Sequence, residues 1–358
     1  GPAAVNAVTS HCKHVNIFCM FPNKYVTKMQ ARQLTTKMPK YNNVKIYATD
    51  STSDEQALIV KNIFKNVSFT SKYNITSMNS INWVRIATQI CYYFWSYLQI
   101  DKNASSFVDF AIPSGAFGNT CACTFAKCMG LPIRNIIPCT NRNDIVYRTL
   151  INGDFSAFKN DYKPSMAPAC DCVVPYNIER FFYLAFNQNC KYVSDIMTEF
   201  EKGIKSMNFN VKFDKFVPQL FFKKYIKYGY SVSDSDIKNT ISYMIKKYNY
   251  VCCPHSVCGI YGALTFLNEK HYDKSLNIPM IAIATAHPSK FETIIKDSVK
   301  NTNIKPSQYE YALSHHFLPK PNEPEFAIQL KMSNNFMSKW SKIIMNDIIS
   351  MNNISSKL

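Results

Sequence analysis

The chain has 358 residues, 47% of them hydrophobic, with 41 lysines and arginines against 24 aspartates and glutamates, a formal charge of +17. No apolar run reaches the ~18–20 residues that a membrane-spanning helix needs, so a membrane partner is not expected. The basic residues are scattered among asparagine and tyrosine with no run of five or more, which argues against nucleic acid and leaves a positive field suited to phosphorylated small molecules.

From the N-terminus, Pro2 suits the first turn of a short helix reaching about residue 8. Residues 15–21 form an apolar run closed by Pro22, the pattern of a parallel strand. A helix over 27–34 and a strand over 44–48 follow. Ser53-Asp54-Glu55-Gln56 has capping-box spacing ahead of a helix over 57–64. Asn79 or Ser80 can cap the long segment to Ile100, which carries Arg85 about a turn and a half inside. Strands alternating with helices predict a parallel sheet covered by helices. Residues 1–98 are assigned to a smaller α/β lobe and 99–358 to a larger one with a C-terminal helical extension.

The larger lobe opens on a short apolar run, 107–112, that suits a buried strand. Pro113-Ser114-Gly115-Ala116-Phe117-Gly118-Asn119-Thr120 follows, and then residues 121–129, small and apolar at helical spacing. Strand, glycine turn, helix is a geometry that collects anions, because several backbone N–H groups can point at one phosphate with a helix N-terminus behind them. No Lys-Ser/Thr follows the second glycine and the Gly-x-Gly-x-x-Gly spacing is missing, so neither nucleotide fingerprint applies. On these residues alone an anion cradle and a plain turn both stand.

Further on, residues 133–138 read as a strand. Thr140-Asn141-Arg142-Asn143-Asp144 is a polar turn at its carboxyl end, where open α/β sheets bind ligands; Asp144 reads as a helix cap. Residues 176–186 suit an aromatic-rich core helix, 187–230 hold two more helices, and Ser233 to Asp236 start another that ends near Tyr248. An apolar strand over 278–284 leads into Thr285-Ala286-His287-Pro288. A helix, a Pro-rich connection, a strand near 326–330 and a terminal helix over 335–349 complete the chain. The 13 cysteines lack Cys-x-x-Cys pairs and read as buried apolar groups in a reducing compartment. The histidines have no metal-ligand spacing, and no metal is expected.

Ser114-Gly115-Ala116-Phe117-Gly118-Asn119 resembles the Ser-Gly-Asn-Phe-Gly-Asn/Asp loop of threonine synthases, which cradles the phosphate of pyridoxal 5′-phosphate (PLP). The resemblance continues through Asn79-Ser80-Ile81-Asn82-Trp83-Val84-Arg85 and Thr140-Asn141-Arg142-Asn143-Asp144. It runs on in Val174-Pro175-Tyr176-Asn177-Ile178-Glu179-Arg180, Pro254-His255-Ser256-Val257-Cys258-Gly259 and Thr285-Ala286-His287-Pro288-Ser289-Lys290-Phe291. These motifs fall in the family's order and cover nearly the whole chain.

The resemblance implies a two-lobed, fold type II PLP-dependent enzyme of the tryptophan-synthase-β type, cytoplasmic, monomeric or homodimeric. Its reaction would turn O-phospho-L-homoserine and water into L-threonine and phosphate. By the same resemblance Gly115, Ala116, Phe117, Gly118 and Asn119 hold the cofactor phosphate and Thr285 meets the ring nitrogen. Gly1, Asn79, Ser80, Asn82 and Arg85 lie on the substrate side, with Arg85 matched to a phosphate. Three departures stand out: Ala116 replaces a common asparagine, Cys253 stands where an acidic residue is common, and Gly1-Pro2-Ala3-Ala4 looks like the end of the family's Ser-Gly-Asp-Thr-Gly loop. The Schiff-base lysine lies upstream of that loop in the family, so the N-terminal part is expected to be missing and no catalytic residue is assigned within this chain. A threonine-synthase-like phospholyase and a non-catalytic PLP-fold binding protein are the alternatives.

Overall fold

A computed structural model describes residues 2–12, 14–103, 105–157, 162–205, 219–269, 272–315 and 318–355. Its strands, in chain order, are β1 (Ile17–Pro22), β2 (Val44–Thr49), β3 (Val108–Pro113), β4 (Ile133–Thr140), β5 (Tyr230–Ser231), β6 (Met280–Ala282) and β7 (Ile328–Leu330). Every pairing among them is parallel. The chain divides into two units, one made of Gly1–Asn79 with Ser314–Leu358 and one of Ser80–Leu313.

The first unit is built on a sheet of order β1-β2-β7. β2 is central, and its Ile46 and Tyr47 are wholly buried. Helix Lys28–Thr35 starts at Thr27, whose side chain and that of Gln30 cap each other's backbone. Helix Ser53–Phe64 starts in the same way at Thr52 with Glu55, one residue ahead of the box read from the sequence. β7 arrives from the far end of the chain and pairs Tyr47 with Ile328. Helix Phe336–Ser355 brings fully buried Trp340 with it, and Asp347 Oδ2 accepts from the Tyr47 hydroxyl at 2.7 Å.

The second unit holds a sheet of order β5-β4-β3-β6. β3 is buried at every position, so it reads as a continuous apolar run rather than an alternating one. Helix Pro254–Asn268 lies directly on it. A Cβ added at Gly259 would come within 3.0 Å of the Pro113 ring, so a bare backbone is required for that approach. Helix Trp83–Leu98 packs on helix Gly118–Cys128 and buries Ile86, Ile90, Tyr93 and Tyr97.

The units are not divided at residue 98. Residues 80–98 belong with the second unit, because the Trp83–Leu98 helix buries its apolar face there, and 314–358 belong with the first, because β7 completes that sheet. The cap of the Trp83–Leu98 helix is Asn82, whose Oδ1 accepts from Val84 N at 3.0 Å, rather than Asn79 or Ser80. Among the described residues no helix is long and apolar enough to cross a membrane.

Candidate functional site

Beyond Pro113 the chain leaves β3 and turns sharply into helix Gly118–Cys128. Ser114 N donates to Cys139 O at 2.8 Å, which ties the turn to β4, and Ser114 Oγ shares a short hydrogen bond with Thr120 Oγ1 across it. Gly115 sits against the 169–170 backbone: an added Cβ would lie 2.7 Å from Cys170 Cα. Phe117 takes a left-handed conformation, φ +67°, which costs a non-glycine residue on the order of 1–3 kcal/mol. Its ring is 1% exposed and packs edge-on against Phe181 at 5.5 Å, and this burial holds the strained backbone in place.

That conformation leaves the helix with no side-chain cap and no acidic residue in its first turn. Among the described residues, none of the backbone N–H groups from Gly115 to Thr120 donates to a protein acceptor. A row of free donors at the positive end of a helix is a cradle for an anion.

Around this turn the second unit supplies a polar collar. Asn119 Oδ1 accepts from the Tyr93 hydroxyl at 2.6 Å and from the Tyr92 hydroxyl. Burial pushes both phenols up, so they remain donors at ordinary pH. With its oxygen engaged, Asn119 presents Nδ2 as its open end. Arg85 lies on the helix that carries both tyrosines, and its charge acts on Tyr92. Asn177 Nδ2 donates to Ala116 O at 2.9 Å and to Ser80 Oγ at 2.8 Å. Arg180 donates to Asn177 Oδ1 at 2.5 Å and to Ile81 O at 2.8 Å. Asn177 and Arg180 therefore latch the 80–81 segment to the turn.

Thr285 follows β6, the parallel neighbour of β3. Ala111 pairs with Ala282, and Ile283 N donates to Ala111 O at 3.0 Å, so the turn and Thr285 both emerge beyond the carboxyl ends of adjacent strands. Thr285 N donates to Ser256 Oγ at 2.9 Å, and its hydroxyl lies 3.3 Å from Ser256 Oγ and 3.5 Å from Cys253 Sγ. Cys253 is the N-cap of helix Pro254–Asn268, accepting from Ser256 N at 3.4 Å. His255, two residues on, accepts at Nε2 from Ala169 N at 2.9 Å, in the strap that passes beneath Gly115. That strap is pinned by Asp171, whose Oδ1 accepts from Asn141 at 2.6 Å, Asn143 at 3.0 Å and Ser165 Oγ at 2.5 Å. Burial pushes the Asp171 carboxyl up against these donors.

No family model matches. Threonine synthase-like 2 of Xenopus laevis is 33% identical over 298 residues, covering 82% of this chain and 59% of that protein. Threonine synthase of Saccharomyces cerevisiae is 32% identical over 320 residues, covering 87% of this chain and 60% of that protein. The solved PLP-bound threonine synthase from Brucella melitensis superposes with a TM-score of 0.73 at 26% identity, over 98% of this chain and 68% of that one. This chain belongs to the threonine synthase family. It has that family's fold type II architecture, and it spans about three fifths of the length of the curated relatives it matches.

The second unit brings together Gly115, Ala116, Phe117, Gly118, Asn119, Ser80 and Arg85 in one neighbourhood, with Thr285 on the adjoining strand end. Asn82 serves as a helix cap there. Asn79 falls in the first unit, where its Oδ1 accepts from Ser77 Oγ at 2.6 Å. Gly1 lies outside the described residues. Asp144 pairs with Arg148 at 2.9 Å and does not cap by its side chain. Sequence reading missed the two tyrosines on Asn119 and the Asn177–Arg180 latch. Adjacent tyrosines on a half-exposed helix were the available signal for the first. An Asn and an Arg three apart at a helix start were the signal for the second.

Proposed function

We propose that this chain is the cofactor-seating part of a threonine-synthase-type lyase acting on O-phospho-L-homoserine. The observation that carries the reading is the row of free N–H groups from Gly115 to Thr120 at an uncapped, acid-free helix start. Those donors and Asn119 Nδ2 suit the phosphate of PLP, and Ala116 contributes only its backbone. Thr285, beyond the carboxyl end of the adjoining strand β6, is the group assigned to the ring nitrogen. PLP, when bound, supplies the electron sink for bond cleavage at the amino-acid carbons. The chain's own residues hold and orient: Ser80 is fixed by Asn177, and Arg85 offers a fork that matches the substrate's phosphate. Asn82 completes the proposed substrate side within the second unit.

Product analysis tests the reaction. Protein containing this chain together with the family's lysine segment is expected to turn O-phospho-L-homoserine into threonine and phosphate. The likeness to proteins called threonine synthase-like 2, as close as that to threonine synthase, favours a second reading in which phosphate is eliminated and a keto acid accumulates. Neither product would end both readings. For the chain alone, PLP binds without a covalent bond; a borohydride-stable adduct on one of its own lysines would contradict this.

A further inference from the structure

Helix Pro254–Asn268 enters the site through two consecutive side chains that serve different ends of it. Ser256 Oγ accepts from Thr285 N at 2.9 Å and so fixes the end assigned to the ring nitrogen. His255 Nε2 accepts from Ala169 N at 2.9 Å and reaches the phosphate end, because Ala169 and Cys170 form the strap beneath Gly115. A Cβ added at Gly115 would lie 2.7 Å from Cys170 Cα and 3.3 Å from Ala169 O, so the height of the strap sets the height of the turn above it.

The strap has a use for that acceptor. Residues Pro168–Cys170 make a single 3-10 turn in which Cys170 N donates to Ala167 O and Asp171 N to Pro168 O; Pro168 has no N–H, and the amide of Ala169 is taken up by His255. His255 is itself 3% exposed, and its ring packs at 4.8 Å on Phe291, in the turn that follows Thr285. Nδ1 is buried with no hydrogen-bond partner among the described residues, so the bond to Ala169 is what orients the ring. An imidazole whose Nε2 accepts is neutral, with its hydrogen on Nδ1. A carboxylate could accept the same N–H, but it would place a negative charge beneath an anion cradle.

We infer that His255 is a positioning residue for the cofactor phosphate. Through the Ala169 amide it holds the 169–170 strap against Gly115, and so keeps the free N–H groups of the turn aligned on the phosphate at a fixed span from Thr285. This deepens the reading of the Gly115–Asn119 turn as the phosphate cradle and rests on it. The effect falls on the phosphate alone, since the ring end is set by Ser256 and Thr285.

The test compares PLP with pyridoxal, which has the same ring and no phosphate. Each is titrated into the unchanged chain, His255→Met and His255→Gln; methionine and glutamine are close in shape, and only glutamine offers a neutral oxygen acceptor. In the unchanged chain PLP is expected to bind more tightly than pyridoxal. His255→Met is expected to shrink that preference about tenfold, the scale of one buried N–H left unsatisfied, and His255→Gln to keep it within about twofold. An equal preference in all three, or an equal loss in both variants, overturns the inference and leaves the cofactor reading intact. No preference for PLP in the unchanged chain, or no binding, overturns both. A second measurement needs no variant. Coupling is reciprocal, so a phosphate seated on the turn must strengthen the Ala169–His255 bond. Hydrogen exchange at the Ala169 amide is expected to slow about tenfold with PLP bound and to be unchanged by pyridoxal; slowing by both, or by neither, overturns the inference.

Discussion

Gly115 and Gly118 share one turn, yet their surroundings separate them. At Gly115 an added Cβ would meet the Cys170 backbone at 2.7 Å, and a backbone neighbour has nowhere to go. At Gly118 the nearest atoms, the side chains of Asn177, Ser80 and Ile86, begin at 3.3 Å and can give. Gly115→Ala is accordingly expected to lose about 1–3 kcal/mol in urea unfolding, the usual range for overpacking, with Gly118→Ala losing less. Equal losses would mean that the 169–170 strap moves freely. The sequence displayed these glycines and their strand-turn-helix setting. It did not display the close backbone beneath Gly115, since Cys170 is 55 residues away along the chain and only folding makes them neighbours. Phe117 was legible as part of the motif but not as a left-handed residue, because that conformation is imposed by the packing of its ring on Phe181.

Among the elements, the helix starts show where local chemistry is decisive and where it is ambiguous. Thr52-Ser53-Asp54-Glu55-Gln56 permits a capping box in two registers. The fold takes the earlier one: Glu55 Oε2 accepts from Thr52 N at 2.8 Å while Thr52 Oγ1 accepts from Glu55 N at 3.3 Å. Thr52→Ala is expected to cost about 1 kcal/mol and Ser53→Ala close to nothing in the same unfolding measurement; the reverse order would restore the later register. The helix start at Ser233 was legible from its Ser and Asp residues, and the fold adds a capping box there between Ser233 and Asp236. The Trp83–Leu98 helix was legible in extent but not in its cap, since Asn79, Ser80 and Asn82 are all competent and tertiary contacts assign Ser80 to Asn177 instead.

For the whole molecule, the alternation of strands and helices was enough to predict parallel sheets, while the return of the C-terminal region to the first unit was not. β7 has three residues, and its place beside β2 depends on contacts nearly three hundred residues apart. Arg32 Nε pairs with Glu325 Oε1 at 2.7 Å and Thr35 Oγ1 donates to Glu325 Oε2 at 2.7 Å, within the same unit. Partial burial pushes the Glu325 carboxyl up, and these donors more than reverse it, so the group lies below its ordinary range. A lowered carboxyl stabilises above its unfolded value and loses that contribution as pH falls through the folded one. The melting-temperature gap between the unchanged chain and Glu325→Gln is therefore expected at neutral pH and to close below about pH 4; a gap that persists in acid would assign the effect to packing. The central claim, a PLP phosphate on the Gly115–Asn119 backbone with the ring nitrogen at Thr285, is tested most directly by a crystal structure of the chain soaked with PLP. The account predicts phosphate oxygens within about 3 Å of those N–H groups and the ring nitrogen within hydrogen-bond reach of Thr285 Oγ1; phosphate density elsewhere, or a ring directed away from Thr285, would contradict it.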